Sequence, residues 1–418
     1  MRVVPVSYDQ SVFNRSHSET SGVAVGYNSL TYQRPLMKKV ALVVTDSFSA
    51  WHFRRGLIKA LIRKGIAVYI ITPTGPYTRN LKDLGAKHIH INISRFMDLL
   101  GDIKFFLDLY RIFRRERFDV VHNFSIKPNT YGAVAARLAG VKKILGAVTG
   151  LGYLFTNEQK IGIAVLKFFA VNLYRFGFRC SDKIWFQNND DIEAFVSAGI
   201  AIRDKAVLIK SSGVDTDEFS TKAVDECVLA LLRNEFGPSA SKIVTMVARP
   251  LWNKGIKEFV EASYLLRERM PDAIFIVVGE KEPGNPDNVP DEYIKEKESE
   301  KLRFIGWRND VREIFALSIM VVLPSYREGT PKSSIEAMSM GKPLVTTDAV
   351  GCKETVDDHR NGIIVPVGDS IKLADAIYEI ASDEKLIKDY GLYSRKKAER
   401  EFDEKIVVGR IISELYQL

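Results

Sequence analysis

Two glutamates, Glu328 and Glu336, lie eight positions apart in a stretch rich in small and polar residues. The first follows an apolar run at 319–323, whose length and β-branched residues predict a buried parallel strand. The second lies in a helix predicted at 334–340, with Pro331 near its first turn. Free N–H groups and the helix dipole at such a junction attract an anion. A nucleotide sugar, with a pyrophosphate between two groups that carry hydroxyls, would satisfy both carboxylates.

Taken alone, these residues could also be a surface glutamate and a glutamate favoured by the helix dipole. The surrounding text, PSYREGTPKSSIEAMSMGKPLVTTDAVGCKETV, resembles the donor site of retaining glycosyltransferases of family 4, which have the GT-B fold. The resemblance implies that Glu336 holds the ribose hydroxyl groups and that Glu328 contacts the transferred sugar. The other residues that we assign to donor binding in this stretch are Gly329, Thr330, Pro331 and Lys332.

A second motif, ARPLWNKG at 248–255, follows a predicted strand and opens a predicted helix. It resembles the family's G-R-L-x-x-x-K-G segment, with Ala248 in place of Gly and Pro250 in place of Leu. Arg249 can donate to two phosphate oxygens at once, and Lys254 adds a compact positive charge. We therefore predict that both are catalytic residues, which stabilise the leaving pyrophosphate without a metal ion. The alternative is a pair of solvated basic residues at a helix start.

Two further segments resemble the part of the donor domain that surrounds the nucleobase. Gly279 ends a strand predicted at 273–279, and a glycine there lets a flat ligand approach the backbone. The segment FIGWR at 304–308 resembles one that meets the base through its backbone in the family. Arg308 is therefore predicted as a base-site contact, while Trp307 could equally belong to the core.

The first half contains DVVHNFSIKPN at 119–129, which resembles the family's acceptor-side segment. His122 is predicted at the carboxyl end of a strand at 119–122, facing the crevice as a catalytic residue, although a lone histidine is more often structural. Lys127 is predicted to meet an anionic acceptor. A loop with the sequence TGLGY resembles one in family members that build bacterial surface polysaccharides. Its acceptor-side residues are Gly150 and Gly152.

The loop predicted at 46–51 departs from the family, in which a Gly-Gly turn is common after the first strand. Here the sequence is DSFSAWHFR from Asp46 to Arg54, which is bulkier and aromatic. The difference suggests a large or lipidic acceptor.

Predicted strands and helices alternate in both halves, which predicts doubly wound parallel sheets. The segment at 211–219, SSGVDTDEF, resembles the family's junction between domains. The expected fold is α/β with GT-B architecture: two Rossmann-like domains face a crevice at the carboxyl ends of their strands. The predicted parts are a poorly ordered tail at 1–37, an acceptor domain at 38–212, a nucleotide-sugar domain at 213–395 and a C-terminal helix at 396–418 that could cross back to the first domain.

Composition limits the class of protein. The 418 residues are 46% hydrophobic and 27% charged, as in a soluble protein of two domains. Three widely spaced cysteines argue against a disulfide framework or a zinc site. No apolar run approaches the roughly 18 residues of a membrane-spanning helix, and the start, MRVVPVSYDQ, has no signal-peptide core. No D-x-D sequence lies near the predicted donor site, so we predict no metal site. The cysteine pattern fits a reducing cytosol, so we predict a cytoplasmic protein.

Charge is divided unevenly along the chain. Residues 1–210 contain 31 Lys and Arg against 15 Asp and Glu, and the remainder contains 29 against 37. Basic and aromatic residues alternate along 105–117 and recur in a helix predicted at 159–178. Such faces could lie on the anionic inner surface of the cytoplasmic membrane, or they could merely cover a sheet. We expect peripheral membrane binding and no nucleic-acid partner.

The resemblance implies a retaining, metal-independent glycosyltransferase that takes its sugar, an N-acetylhexosamine or a hexose, from a UDP-sugar and needs no cofactor. The expected acceptor is a lipid-linked saccharide in the biosynthesis of a cell-surface polysaccharide, such as lipopolysaccharide or capsule. Two alternatives stay open. A UDP-sugar epimerase on the same fold is disfavoured by the basic first half and the loop at Gly150. A non-catalytic subunit that binds the nucleotide sugar is disfavoured because Arg249, Lys254 and Glu328 are all present.

Overall fold

The computed structural model describes residues 39–94, 98–150, 161–237 and 241–418, apart from the side chains of 161–170. The predicted tail at 1–37 and Gly152 lie outside the described residues.

The first sheet has seven parallel strands in the order β3-β2-β1-β4-β5-β6-β7. Its order reverses between β1 and β4, which is the switch point at which such sheets form a ligand crevice. The strands are β1 Lys39–Val43, β2 Ala67–Thr72, β3 Lys87–His90, β4 Val120–Phe124, β5 Lys143–Val148, β6 Lys183–Phe186 and β7 Ala206–Leu208. The helices of this half are α1 Ser47–Arg63, α2 Thr78–Asp83, α3 Leu99–Glu116, α4 Ala133–Leu138, α5 Ile161–Cys180 and α6 Asn189–Ser197.

The second sheet has six parallel strands in the order β10-β9-β8-β11-β12-β13, with its switch point between β8 and β11. The predicted class of two doubly wound parallel sheets is confirmed. The strands are β8 Lys242–Val247, β9 Ala273–Val278, β10 Leu302–Phe304, β11 Met320–Leu323, β12 Leu344–Thr347 and β13 Gly362–Val365. The remaining helices are α7 Glu226–Phe236, α8 Ile256–Leu265, α9 Asp291–Lys297, α10 Val311–Leu317, α11 Lys332–Ser339, α12 Ser370–Ala381, α13 Glu384–Lys397 and α14 Glu404–Arg410.

The first sheet is covered by helices on both faces, because successive residues of its buried strands point to opposite sides. Val40 and Leu42 of β1 pack in one hydrophobic cluster, and Ala41 and Val43 pack in another. The first of these clusters also contains apolar residues from the end of the chain. These are Val407, Val408, Ile411, Ile412, Leu415 and Tyr416. The C-terminal segment therefore packs on the first sheet.

His122 lies inside β4, which extends to Phe124 instead of ending at His122 as predicted. Its side chain is 0% exposed, and its Nδ1 lies 2.9 Å from the hydroxyl of Tyr416. Burial and the positive charge of Arg54 lower the pKa of His122 well below its usual value. The prediction that His122 faces the crevice is therefore wrong. Its hydrogen bond joins the sheet to the C-terminal segment.

Helix α1 begins at Ser47, so the loop predicted at 46–51 is wrong. Asp46 caps the helix: its Oδ1 accepts a hydrogen bond of 2.6 Å from Ser49 N. An aspartate at this position satisfies N–H groups that would otherwise lack partners, and this starts the helix directly after β1. The aromatic residues of this segment consequently lie on the first turns of α1.

We predict that Tyr416→Phe lowers the free energy of unfolding by about 1 kcal/mol, because the buried His122 ring loses a hydrogen-bond partner. Chemical denaturation of the variant, with the half-buried Tyr110→Phe as a matched control, measures the difference. The affinity of the protein for its substrates should stay unchanged. If the variant unfolds like the wild type but has a lower turnover, the result would indicate that His122 takes part in the reaction.

Candidate active site

The loops that follow β8 and β11 lie against each other at the second switch point. Gly255 has a left-handed backbone, with φ of +78°, and a Cβ there would lie 2.7 Å from the carbonyl carbon of Pro324. Two hydrogen bonds to the carbonyl of Asn253 join the loops, from Ser325 Oγ at 3.1 Å and from Tyr326 N at 3.0 Å. The two predicted motifs are thereby held side by side.

Lys254 and Glu328 form an ion pair across these loops. The Nζ of Lys254 donates to Oε1 of Glu328 at 2.5 Å, and each side chain is only 16% exposed. The backbone N–H of Glu328 donates to the carbonyl of Val350 at 2.9 Å, which fixes the loop from the side of β12. Two predicted catalytic residues thus meet at the carboxyl ends of β8 and β11.

Arg249 lies at the same edge, one turn before Lys254, and half of its side chain is exposed. Its guanidinium pairs with Glu282, a buried carboxylate. Burial lowers the pKa of Arg249, while the negative charges of Glu328 and Asp46 act in the opposite direction. Because Asp46 belongs to the first domain and Glu328 to the second, carboxylates on both sides of the crevice act on Arg249.

Glu336 lies on α11, and its side chain is mostly buried. Burial raises its pKa to about 7, and the negative charge of Glu218 acts in the same direction. The cations of Lys332, 3.9 Å away, and of Arg55 oppose the rise. Burial disfavours the charged form of this carboxyl, and hydrogen bonds from the hydroxyl groups of a ligand would stabilise that form.

Lys332 joins α11 to the segment between the two sheets. Its Nζ donates to the carbonyl of Gly213 at 2.7 Å. Its charge, together with that of Arg55 and with burial as the main cause, lowers the pKa of His52 to about 4. His52 is therefore neutral at physiological pH. It is a crevice residue that the sequence did not predict.

Gly279 and Arg308 have structural partners that differ from the predicted base contacts. A Cβ at Gly279, whose φ is +150°, would lie 2.7 Å from the carbonyl carbon of Ala248. The close approach is therefore to the backbone of the protein. Arg308 donates to Glu235 at 2.9 and 3.1 Å and to Asp310 at 2.8 and 2.7 Å. Because all its donor nitrogens bind carboxylates, the geometry does not support its side chain as a base contact.

Trp307 is 45% exposed, so it does not belong to the core. Its ring lies 5.3 Å from that of Phe48 and 6.0 Å from that of His52, both on α1. Tyr77 completes the group, with its ring centroid 5.8 Å from that of Phe48. This aromatic cluster bridges the two domains beside the motifs. Phe48 and His52 come from the bulky segment that departs from the family pattern, whereas Tyr77 directly precedes α2.

The predicted acceptor-side residues lie in two places. Lys127 forms an ion pair with Asp102, and both side chains are largely buried. Gly150, with φ of +133°, lies close to the motif loop, because a Cβ there would be 3.8 Å from Gly329 N. Gly150 is therefore brought to the site, whereas Lys127 stabilises the junction of α3 with the segment after β4.

Neither a metal cluster nor a membrane-spanning helix occurs in the described part of the chain. No three His, Cys, Asp or Glu side chains are grouped there closely enough to hold a metal ion. No helix there combines the length and apolar character needed to cross a membrane.

Family models match both halves of the chain: residues 39–188 match "Glycosyl transferase 4-like" and residues 241–383 match "Glycosyl transferases group 1". The N,N'-diacetylbacillosaminyl-diphospho-undecaprenol alpha-1,3-N-acetylgalactosaminyltransferase of Campylobacter jejuni is 30% identical over 365 residues, which cover 87% of this chain and 94% of that protein. The UDP-Gal:alpha-D-GlcNAc-diphosphoundecaprenol alpha-1,3-galactosyltransferase of Escherichia coli is 29% identical, with 76% of this chain and 80% of that protein covered.

A solved structure shows the same fold. HepE from Anabaena, crystallised with UDP and glucose, superposes with a TM-score of 0.75 over 91% of this chain and 100% of that chain, at 20% identity. The predicted GT-B fold is confirmed. With both family models matched and the Campylobacter jejuni relative covered nearly end to end, the chain belongs to the group 1, family 4-like glycosyltransferases.

Proposed function

We propose that this glycosyltransferase moves a hexose or an N-acetylhexosamine from a UDP-sugar to a lipid-linked saccharide, with retention of configuration at the anomeric carbon. The observation that carries the proposal is the meeting of Lys254 and Glu328, 2.5 Å apart, where β8 and β11 end. Arg249 lies in the same loop as Lys254, and Glu336 lies on α11, the helix that follows the loop of Glu328. The arrangement provides cations for a pyrophosphate and carboxylates for the sugars beside it.

A UDP-sugar would bind to these residues in one orientation. Glu336, buried on α11, would accept hydrogen bonds from the ribose hydroxyl groups. Lys254 and Arg249 would contact the pyrophosphate. Glu328 would give up its ion pair with Lys254 and accept hydrogen bonds from hydroxyl groups of the transferred sugar. Structures of HepE with UDP and with UDP-glucose support a nucleotide sugar as the donor on this fold.

The proposed reaction breaks the bond between the anomeric carbon and the phosphate oxygen, and it forms a bond to an acceptor hydroxyl on the same face. The proton of that hydroxyl passes to the departing phosphate. Negative charge grows on the phosphate as the bond breaks, so Lys254 and Arg249 bind the transition state more tightly than the ground state. These two cations take the part that a metal ion would otherwise take, and we propose no cofactor.

The names of the two relatives support a lipid-linked saccharide as the acceptor. Both contain an undecaprenyl diphosphate that carries a sugar, and one of them names UDP-Gal as the donor. We extend this acceptor class to the present chain, which would then act in the assembly of a cell-surface polysaccharide. The acceptor would be reached at the cytoplasmic face of the membrane.

Helix α3 provides a surface suited to that membrane. Its first turns expose four apolar side chains that share one face of the helix: Leu99 at 75%, Leu100 at 80%, Ile103 at 49% and Leu107 at 41%. Exposed basic residues continue the same face. They are Lys104, Arg111, Arg114 and Arg115. Apolar residues followed by cations are typical of helices that lie in an anionic membrane interface.

The aromatic residues on which the membrane prediction depended lie mainly in the core. Phe105 and Phe113 of α3 are buried, as are Tyr174 and Phe178 of α5. The side chains of 161–170, including the predicted membrane residues Lys167, Phe168 and Phe169, lie outside the described residues. The leucines of α3 replace these rings as the proposed apolar contact.

The function is tested by incubating the purified protein with UDP-sugars and an undecaprenyl-diphosphate-linked saccharide, with and without EDTA. We expect UDP release that requires the lipid acceptor and persists in EDTA. An epimerised UDP-sugar would identify an epimerase, and binding without any product would identify a non-catalytic subunit. Activity that disappears in EDTA and returns only with manganese or magnesium would contradict the metal-free reaction.

We predict that Lys254→Ala and Arg249→Ala each lower kcat by about a hundredfold, because the leaving pyrophosphate loses a charged partner in the transition state. Lys257→Ala is the matched control, since this lysine lies on the first turn of α8, directly after the loop of Arg249 and Lys254, with its side chain 60% exposed. Steady-state kinetics should show little change for the control. Near-normal turnover in both site variants would place the phosphate contacts elsewhere.

We predict that affinity for the UDP-sugar rises up to about tenfold between pH 6 and pH 8, because the pKa of Glu336 lies near 7 and the ionised carboxylate accepts hydrogen bonds from ribose with both oxygens, whereas one oxygen of the protonated acid becomes a donor. Titration calorimetry should use the intact UDP-sugar, since the terminal phosphate of free UDP titrates near pH 6. In Glu336→Gln the affinity should be weaker and independent of pH. A variant that keeps the wild-type pH dependence would show that another group titrates.

We predict that the full-length protein sediments with vesicles of phosphatidylcholine and phosphatidylglycerol at low salt. A double variant, Leu99→Ser with Leu100→Ser, should lower the partition coefficient at least tenfold, because each buried leucine contributes about 1.5–3 kcal/mol. Leu265→Ser is the control, since Leu265 is exposed on α8 of the second domain. Equal binding by both variants would place the membrane surface elsewhere.

A further inference from the structure

The loop that carries Glu328 is fixed by the first domain as well as by its own. Thr330 N donates to Oε1 of Gln187 at 3.1 Å, and the Nδ2 of Asn188 donates to the carbonyl of Gly329 at 3.0 Å. Thr330 Oγ1 also donates to the carbonyl of Gln187 at 3.3 Å. Both partners belong to the junction between β6 and α6 and contact the residues directly after Glu328.

An ion pair holds the other side of Glu328. The guanidinium of Arg327, the preceding residue, donates to Oδ1 of Asp191 on the first turn of α6. The Asp191 side chain is 0% exposed, and burial raises its pKa while Arg327 lowers it. A buried carboxylate needs its partner far more than a surface one does. Asp191 therefore fixes Arg327 firmly.

The junction itself is rigid. Asn188 caps α6, because its Oδ1 accepts from Asp191 N at 2.8 Å while its Nδ2 also donates to Oδ2 of Asp191 at 3.1 Å. Two residues that contact the loop are thus bonded to each other. The loop is held by a preformed helix start and not by flexible surface side chains.

The loop also lacks room to shift. A Cβ at Gly329 would lie 2.6 Å from the carbonyl oxygen of Thr149 in the first domain. On the opposite side, a Cβ at Gly351, whose φ is +81°, would lie 2.6 Å from the carbonyl carbon of Glu328. Backbone from both domains therefore encloses Glu328 and Gly329, and the loop can move only if the domains separate.

We infer that Gln187, Asn188 and Asp191 are positioning residues for glycosyl transfer. Acting through Arg327, Gly329 and Thr330, they hold Glu328 in its reactive position. The inference depends on the proposed function, because that function is what assigns to Glu328 a contact with the transferred sugar. The acceptor domain in this view completes the donor site, so these three residues affect turnover more than the affinity for the nucleotide.

A neighbouring ion pair provides a matched control. Lys353 and Asp190 also join the two domains, 2.9 Å apart, but their side chains are 43% and 41% exposed. Asp190 precedes Asp191 on the same helical turn, yet its partner lies outside the loop from Arg327 to Thr330. An exposed pair of this kind contributes little. Removing either carboxylate takes one negative charge from the first turn of α6, so the two variants differ mainly in their contact with the loop.

The experiment compares Asp191→Asn with Asp190→Asn in the full-length protein, using kcat and KM for UDP-sugar with lipid acceptor, donor affinity by calorimetry and the unfolding midpoint. We expect Asp191→Asn to lower kcat at least tenfold while donor affinity changes less than about threefold. Asp190→Asn should keep kcat within about twofold. Arg327→Lys should retain more turnover than Arg327→Ala, because it keeps the charge that faces Asp191.

If Asp191→Asn does not fold, Gln187→Ala replaces it, since the Gln187 side chain contacts Thr330 without capping α6. Equal kcat in the Asp190 and Asp191 variants, or a fall explained wholly by donor affinity, would overturn the inference. Failure of the proposed function looks different: the wild-type protein would then release no UDP in the presence of the lipid acceptor. Loss of activity in Lys254→Ala with normal turnover in Asp191→Asn and Gln187→Ala would reject the positioning role alone.

Discussion

The ion pair between Lys254 and Glu328 is the contact around which the site is organised. It joins the loop after β8 to the loop after β11, at a distance of 2.5 Å and with little solvent around it. The carboxyl ends of parallel strands lie at one edge of the sheet. At the switch point the connections leave towards opposite faces and form a crevice, so the strand order determines which loops border it. A buried pair of this kind costs desolvation and adds little stability by itself. Its presence is better explained by the charges that a pyrophosphate and a sugar would meet there.

The first domain completes this arrangement from across the crevice. The negative charge of Asp46 acts to raise the pKa of Arg249, and the positive charge of Arg55 acts to lower the pKa of Glu336. The loop that contains Glu328 is enclosed by backbone of both domains. Neither sheet alone would therefore present the complete site, which is consistent with a chain whose C-terminal segment packs on the first sheet.

Local patterns in the sequence were enough to predict the two parallel sheets and to bring Lys254 and Glu328 to one site, with Glu336 on the helix that follows the Glu328 loop. A strand followed by a glycine-rich turn and a helix constrains its residues strongly. His122 was misplaced because alternation along a strand identifies a face but not what covers that face, and here the C-terminal Tyr416 covers it. The predicted base contact of Arg308 is not supported for a similar reason: its carboxylate partner Glu235 lies 73 positions away in the sequence. The roles of Gln187, Asn188 and Asp191 depend on how the domains meet, and no local pattern carries that information.

The proposed function requires the crevice where β8 and β11 end to bind a UDP-sugar in one orientation. A crystal structure of the protein with UDP would reveal that orientation. We expect the ribose hydroxyl groups within hydrogen-bond distance of Glu336, and the pyrophosphate against Lys254 and Arg249. UDP bound elsewhere, or bound in this crevice with its ribose away from Glu336, would exclude the proposed donor site.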